Sequence, residues 1–296
     1  MQVISTLLPI ALGIVMLGLG LSLTVADFKR VAVYPRATLV ALLCQVLLLP
    51  AACFGLILLF DPPPALAVGM MLLAASPGGS TANLFSHLFG GDVALNVTLT
   101  AVNSVLAVVT LPLVVNFSLD YFMSAEGAVG LQFDKSLQVF AIILVPVALG
   151  MFLRHRFPGF AERMAKPVRI TSIAVLVLAL AAAVFQEFEH IGEYIVAIGA
   201  VTLLFNVLSL AVGYWAPRLT RVGREQSIAT CMEIGIHNGT LAIAIALSPT
   251  LLNDSRMAVP ALTYGLWMFL TATAAGFLLR RGSRHEAGSP STSDVS

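Results

Sequence analysis

Apolar positions along this chain come in long runs broken by short polar stretches, and the pattern has neither the alternation of strands nor the one-sided stripe of surface helices. A helix needs roughly 20 consecutive, mostly apolar residues to cross the hydrocarbon of a bilayer. Nine segments meet that need, at about 5–26, 37–60, 65–86, 93–118, 136–153, 170–186, 194–215, 226–248 and 258–279. The connections are short, so the pattern predicts one compact all-α bundle of nine transmembrane helices. A small, polar stretch at 287–296 is expected to be a disordered tail.

Two of the nine segments contain helix breakers. The third carries Ser76-Pro77-Gly78-Gly79-Ser80-Thr81-Ala82-Asn83, and the eighth carries Glu233-Ile234-Gly235-Ile236-His237-Asn238-Gly239-Thr240. Non-helical backbone at membrane depth is tolerated only where protein or a water-filled cavity satisfies it. Glycine in such helices can also serve close packing alone. Two interrupted spans at matching positions, each with an Asn, point instead to an inverted repeat with a binding site between its halves. The repeats would be 1–125, with four spans, and 130–282, with five.

Composition agrees with a lipid environment: 58% of the 296 residues are apolar and 10% charged, too little charge to clothe a water-soluble fold. The net charge of +1 says little, because the charges are segregated. Of the 16 Lys and Arg, all but Lys135 and Arg256 fall in loops of one side: Lys29, Arg30 and Arg36, then 154–169, 218–224 and 280–284. The excess of cations marks the cytoplasmic side. The N-terminus is therefore expected outside and the C-terminus in the cytoplasm, which needs an odd number of spans. Cys44, Cys53 and Cys231 sit in apolar runs without pair spacing and read as small hydrophobes. No basic region precedes the first apolar run, so no cleavable signal peptide is expected.

Fourteen of the 15 acidic residues fall outside the spans, and Glu233 alone lies within one. A carboxylate there is costly unless paired, hydrated or metal-bound, and no span contains a Lys or Arg to pair with it. A monovalent cation, completed by unwound carbonyls and by Asn and Thr oxygens, would neutralise it. The competing reading is a permanently protonated Glu233 hydrogen-bonded to a neighbour. His237 follows four residues later. A lone His is more often a hydrogen-bonded core residue than a ligand, although its titration near neutrality makes a proton role conceivable. Gln45, Asn96, Thr98, Thr100, Asn103, Ser104, Asn206 and Ser209 each read, taken singly, as polar glue between helices.

The run Pro77-Gly-Gly-Ser-Thr-Ala-Asn83, followed by Gly91-Asp92-Val93-Ala94-Leu95-Asn96 and Thr100, resembles the bile acid:sodium symporter family, as does Glu233-Ile-Gly-Ile-His-Asn238. The resemblance extends from about residue 10 to 280. It implies a panel domain and a core domain, with two discontinuous helices crossing in the core beside two sodium ions. Carried over by position, the first sodium would take Asn83, Asn96, Thr100 and Glu233. The second would take Gln45, Glu233, the carbonyls of Ile234 and Ile236, and His237. The sequence departs from the family pattern at Ala82 and Asn96, where Ser is usual, and at His237, where Gln is common. Trp267 is followed by Met268-Phe269 where relatives that bind bile acids or pantoate have His-Asn. The implied substrate is a small organic anion, such as a keto acid, pantoate or a bile-acid-like anion, held near Ser80, Thr81 and Asn238.

The expected function is sodium-coupled secondary symport, with the lipid bilayer as solvent, a bacterial inner membrane as location and no nucleic acid partner. The nearest alternative is a proton-coupled or uncoupled carrier on the same scaffold. An enzyme is not expected, because the spans lack a His-Glu-x-x-His, a paired Asp or a Ser-plus-base set. ATP-driven transport is not expected either, for want of a Gly-Lys-Ser/Thr phosphate loop.

Overall fold

The computed structural model describes residues 13–14, 16–18, 20–124, 133–186 and 189–286, excluding the side chains of Ser80, of 133–144 and 281–286, and of several residues between 165 and 186. The beginning of the first expected span, Glu126, Glu187 and the 287–296 tail lie outside the described residues.

Among the described residues, regular structure is helical apart from one isolated backbone bridge. Helical residues at 20–22 lead to a short helix α1 (Val25–Lys29). There follow α2 (Pro35–Phe60), α3 (Pro64–Ala75), α4 (Ser80–Phe89), α5 (Val93–Met123), α6 (Phe133–Arg156), α7 (Pro158–Gln186), α8 (Ile191–Leu219), α9 (Arg224–Gly235), α10 (Gly239–Leu247) and α11 (Val259–Glu286). Among the described residues, four stretches are long and apolar enough to cross a membrane: Pro35–Phe60, Val93–Met123, Ile191–Leu219 and Arg256–Arg280. The third and eighth expected spans are each built from two short helices, α3 with α4 and α9 with α10.

Local chemistry sets these boundaries. Pro35 opens α2 at a position where the missing N–H costs nothing. Asp61, in the left-handed conformation, and the prolines that follow it end α2. Gly90 (φ 77°) closes α4 in the left-handed conformation that only glycine adopts freely. Asp92 then caps α5, its carboxylate accepting the Leu95 N–H at 3.0 Å.

Polar and apolar groups are distributed as a lipid solvent demands. Large apolar side chains face outward, with Val196 82% and Leu219 81% exposed, while Asn96, Thr98, Thr100, Asn103, Asn206, Ser209 and Glu233 are buried. Three halves of the broken helices, α3, α9 and α10, are largely enclosed, with Leu66 to Ala74 buried throughout, while α4 exposes Leu84 and Leu88. α9 packs on α4, and α10 packs on α3. The first half of one broken helix therefore lies against the second half of the other, as two segments running in opposite directions must.

Candidate cation site at the helix crossing

α3 cannot continue through Pro77, which has no N–H to donate, and Ser76 is already extended (φ −70°, ψ 140°). α9 ends at Gly235. The two unwound stretches meet as an antiparallel bridge between Gly78 and His237. The Gly79 N–H donates to the Ile236 carbonyl and the Asn238 N–H to the Pro77 carbonyl, each at 2.9 Å. Each stretch thereby satisfies the backbone groups that the other leaves open in a buried place. Gly78 is obligatory for the approach, since a Cβ there would fall inside the Glu233 carboxylate and against its backbone oxygen.

Glu233, on the last turn of α9, is fully buried. The Thr100 hydroxyl donates to Oε2 at 2.6 Å, while Oε1 makes no well-formed hydrogen bond, with the Gly78 amide close to the carboxylate. The described salt bridges involve other acids, namely Asp27, Glu162, Glu193 and Asp254. Two more acceptors, Asn83 Oδ1 and Asn96 Oδ1, are buried without a partner. Asn96 spends its nitrogen on the Ala229 carbonyl at 2.7 Å, which fixes its amide and leaves the oxygen as its unpaired atom. Asn103, seven residues after Asn96 on the same face of α5, also lies beside the carboxylate, with both amide atoms unpaired. Among the described residues no three of His, Cys, Asp and Glu come together. The donor set is one carboxylate with neutral amide and hydroxyl oxygens, the set a hard cation takes. Buried acceptors left unpaired cost about 1–3 kcal/mol each, so an ion bound to Glu233, Asn83 and Asn96 would relieve a sizeable penalty.

Gln45 lies in a π-helical turn, Cys44–Leu48, within α2. Pro50 would clash with the carbonyl of Val46 in a regular helix, and the wider turn accommodates it. The Gln45 Nε2 donates to the carbonyls of Ser76 (3.0 Å) and Ala74 (3.4 Å), and its Oε1 is unpaired. His237 places Nδ1 3.2 Å from the Ser76 carbonyl. Its ring stacks on Phe205 (centroids 5.4 Å apart, 25°) and meets Tyr264 edge-on (5.4 Å, 73°). The Ile234 carbonyl has lost its usual helical donor four residues on, because the Asn238 N–H is turned to Pro77. The Ile236 carbonyl accepts from Gly79. The Gly235 carbonyl accepts from Asn206 Nδ2 (3.0 Å) and the Tyr264 hydroxyl (2.9 Å). Tyr264→Phe is therefore expected to cost only about 1 kcal/mol, because Asn206 keeps the carbonyl satisfied; chemical denaturation in detergent measures it.

Thr81 and Asn238 are half-buried at the first turns of α4 and α10, both of which open at the crossing. The Asn238 side chain accepts the Leu241 N–H at 3.0 Å and so caps α10, which leaves its amide nitrogen as the group to meet a ligand. Ser80 opens α4 and its side chain lies outside the described residues. Cys231, close to Glu233 in sequence, is buried with its thiol on the Leu210 carbonyl. Sequence reasoning missed Asn103 as a neighbour of Glu233, the π turn under Gln45, and Phe205 and Tyr264 around His237. The spacing of Asn96, Thr100 and Asn103 and the proline five residues after Gln45 were the available signals.

A family model described as the sodium bile acid symporter family matches residues 9–194. The chain is 26% identical over 98% of its length to an uncharacterized sodium-dependent transporter, YocS, of Bacillus subtilis. It is 27% identical over 93% of its length to a probable chloroplastic sodium/metabolite cotransporter, BASS2, of Oryza sativa subsp. japonica, and 27% identical over 85% to the ileal sodium/bile acid cotransporter of Homo sapiens. It spans 88% of the first, 64% of the second and 72% of the third.

Proposed function

The chain belongs to the sodium bile acid symporter family, and from that premise we propose that it carries a small organic monoanion across a membrane together with sodium. Membership makes it a sodium-dependent membrane transport protein and not an enzyme. The finer reading is that the anion is a small carboxylate, such as a keto acid or pantoate. The observation that carries the reading is that Glu233 Oε1, Asn83 Oδ1 and Asn96 Oδ1, on the mutually packed helices α9, α4 and α5, are each buried and unpaired, with Thr100 on the other carboxylate oxygen.

In this reading sodium binds at Asn83, Asn96, Thr100 and Glu233 and draws α4, α5 and α9 together around the crossing. The family pattern would give a second ion to Gln45, Glu233, the Ile234 and Ile236 carbonyls and the position of His237. The first turns of α4 and α10, with Ser80, Thr81 and Asn238, face the anion, where helix N-termini supply partial positive charge. Sodium orders these turns and the anion is held better once they are ordered, so each ligand tightens the other. Nine spans, repeats at 1–125 and 130–282, panel and core domains rocking against each other, an outside N-terminus and a bacterial inner membrane complete the reading.

The test is uptake of labelled monocarboxylates into proteoliposomes under an inward sodium or potassium gradient. Accumulation of one of them with sodium and not with potassium is expected. Uptake equal in both salts overturns the coupling and favours the uncoupled or proton-coupled carrier. Asn83→Ala, which removes one neutral ligand, is expected to raise the sodium concentration for half-maximal uptake about tenfold, the equivalent of about 1.4 kcal/mol.

A further inference from the structure

We propose that His237 takes the place of a second cation, so that one sodium ion and not two accompanies each anion. This rests on the sodium-coupled reading above and concerns the number of ions alone.

The two candidate cation positions differ in what they offer. Around the first, three oxygens from separate side chains are buried and unpaired. Around the second, N–H groups have arrived first. A carbonyl can only accept, so the His237 nitrogen near Ser76 is an Nδ1–H donor. The Gln45 nitrogen contacts two carbonyls, which fixes that amide with its nitrogen toward α3. The Ser76 carbonyl thus spends both lone pairs on Gln45 and His237. The Ile236 carbonyl is engaged by Gly79.

The ring cannot easily withdraw. His237 is 1% exposed and packs against both Phe205 on α8 and Tyr264 on α11, which are fully buried and also touch each other. Its one remaining lone pair, on Nε2, belongs to nitrogen, a poor partner for a hard cation. What is left for an ion is Gln45 Oε1, the Ile234 carbonyl, the second lone pair of the Ile236 carbonyl and a share of Glu233, which the first ion already uses, so every remaining ligand but Gln45 Oε1 is backbone or shared. A glutamine at position 237 would instead bring an oxygen on a flexible chain.

Equilibrium binding of radioactive sodium to the purified protein in detergent, with potassium as the balancing salt, decides the matter. The wild type is expected to bind one ion per chain with a Hill coefficient of about 1, and His237→Gln to bind two. Two ions bound by the wild type overturn this inference and leave the symport reading standing. No sodium bound by the wild type overturns both. One ion in both proteins removes His237 as the cause. If His237→Gln does not fold, the wild-type count still decides the stoichiometry.

Discussion

Glu233→Gln is expected to weaken sodium binding by more than about 30-fold, taking about 2 kcal/mol as the least that loss of a buried charge partner costs. Sodium-driven uptake should disappear with it. The substitution keeps the size of the side chain, and its oxygen can still accept the Thr100 hydroxyl now bonded at 2.6 Å. The fold therefore has no reason to fail. Relief from a fully buried charge would even favour the variant in the absence of sodium. Thermal unfolding in detergent separates the two effects. In potassium the variant should melt at or above the wild-type temperature. On replacing potassium with sodium the wild type alone should rise, because an ion that binds only the folded state stabilises it by mass action. A sodium-specific rise that persists in Glu233→Gln would remove this carboxylate from the site.

The second large effect concerns neighbouring glycines that look equivalent in the sequence. Gly78→Ala puts a methyl group where the Glu233 carboxylate and backbone oxygen already are; the carboxylate must be displaced, and the backbone oxygen cannot swing aside. Overpacking of this kind costs about 1–3 kcal/mol. Because what must move is the carboxylate proposed to hold the ion, sodium-driven uptake should be lost even where folding survives. Gly79→Ala meets nothing closer than 3.4 Å and has an ordinary extended conformation (φ −88°, ψ 158°). Its expected cost is below about 1 kcal/mol, that of a poorer helix cap, with uptake largely kept. Similar behaviour of the two variants would mean that the tight approach of Gly78 to Glu233 does not govern the site.

Much of this was legible from residue order. Long apolar runs mark the helices, and Pro77 with its following glycines marks the break that no regular helix can bridge. Glu233 announces itself as the one acid within a span. What could not be read is how the two breaks face each other. That the Gly79 and Asn238 amides find acceptors across the crossing is a long-range pairing with no local signature. Asn103 was legible only as another polar group in a helix, because the meaning of its position depends on where α9 places Glu233. The ring of His237 is held by Phe205 and Tyr264, residues of ordinary core type whose partnership arises only when α8 and α11 pack on each other and on α9.

The crossing has a mechanical consequence. Two backbone hydrogen bonds straddle the Gly78–His237 bridge, and Glu233 fills the space above Gly78. A slip of one residue between the strands would break both bonds and drive a side chain into that filled space. Tilting about the bridge breaks neither. The joint therefore resists sliding more than tilting, and a tilt of α4 at one end of the broken pair would be felt by α9 and α10 through the bridge.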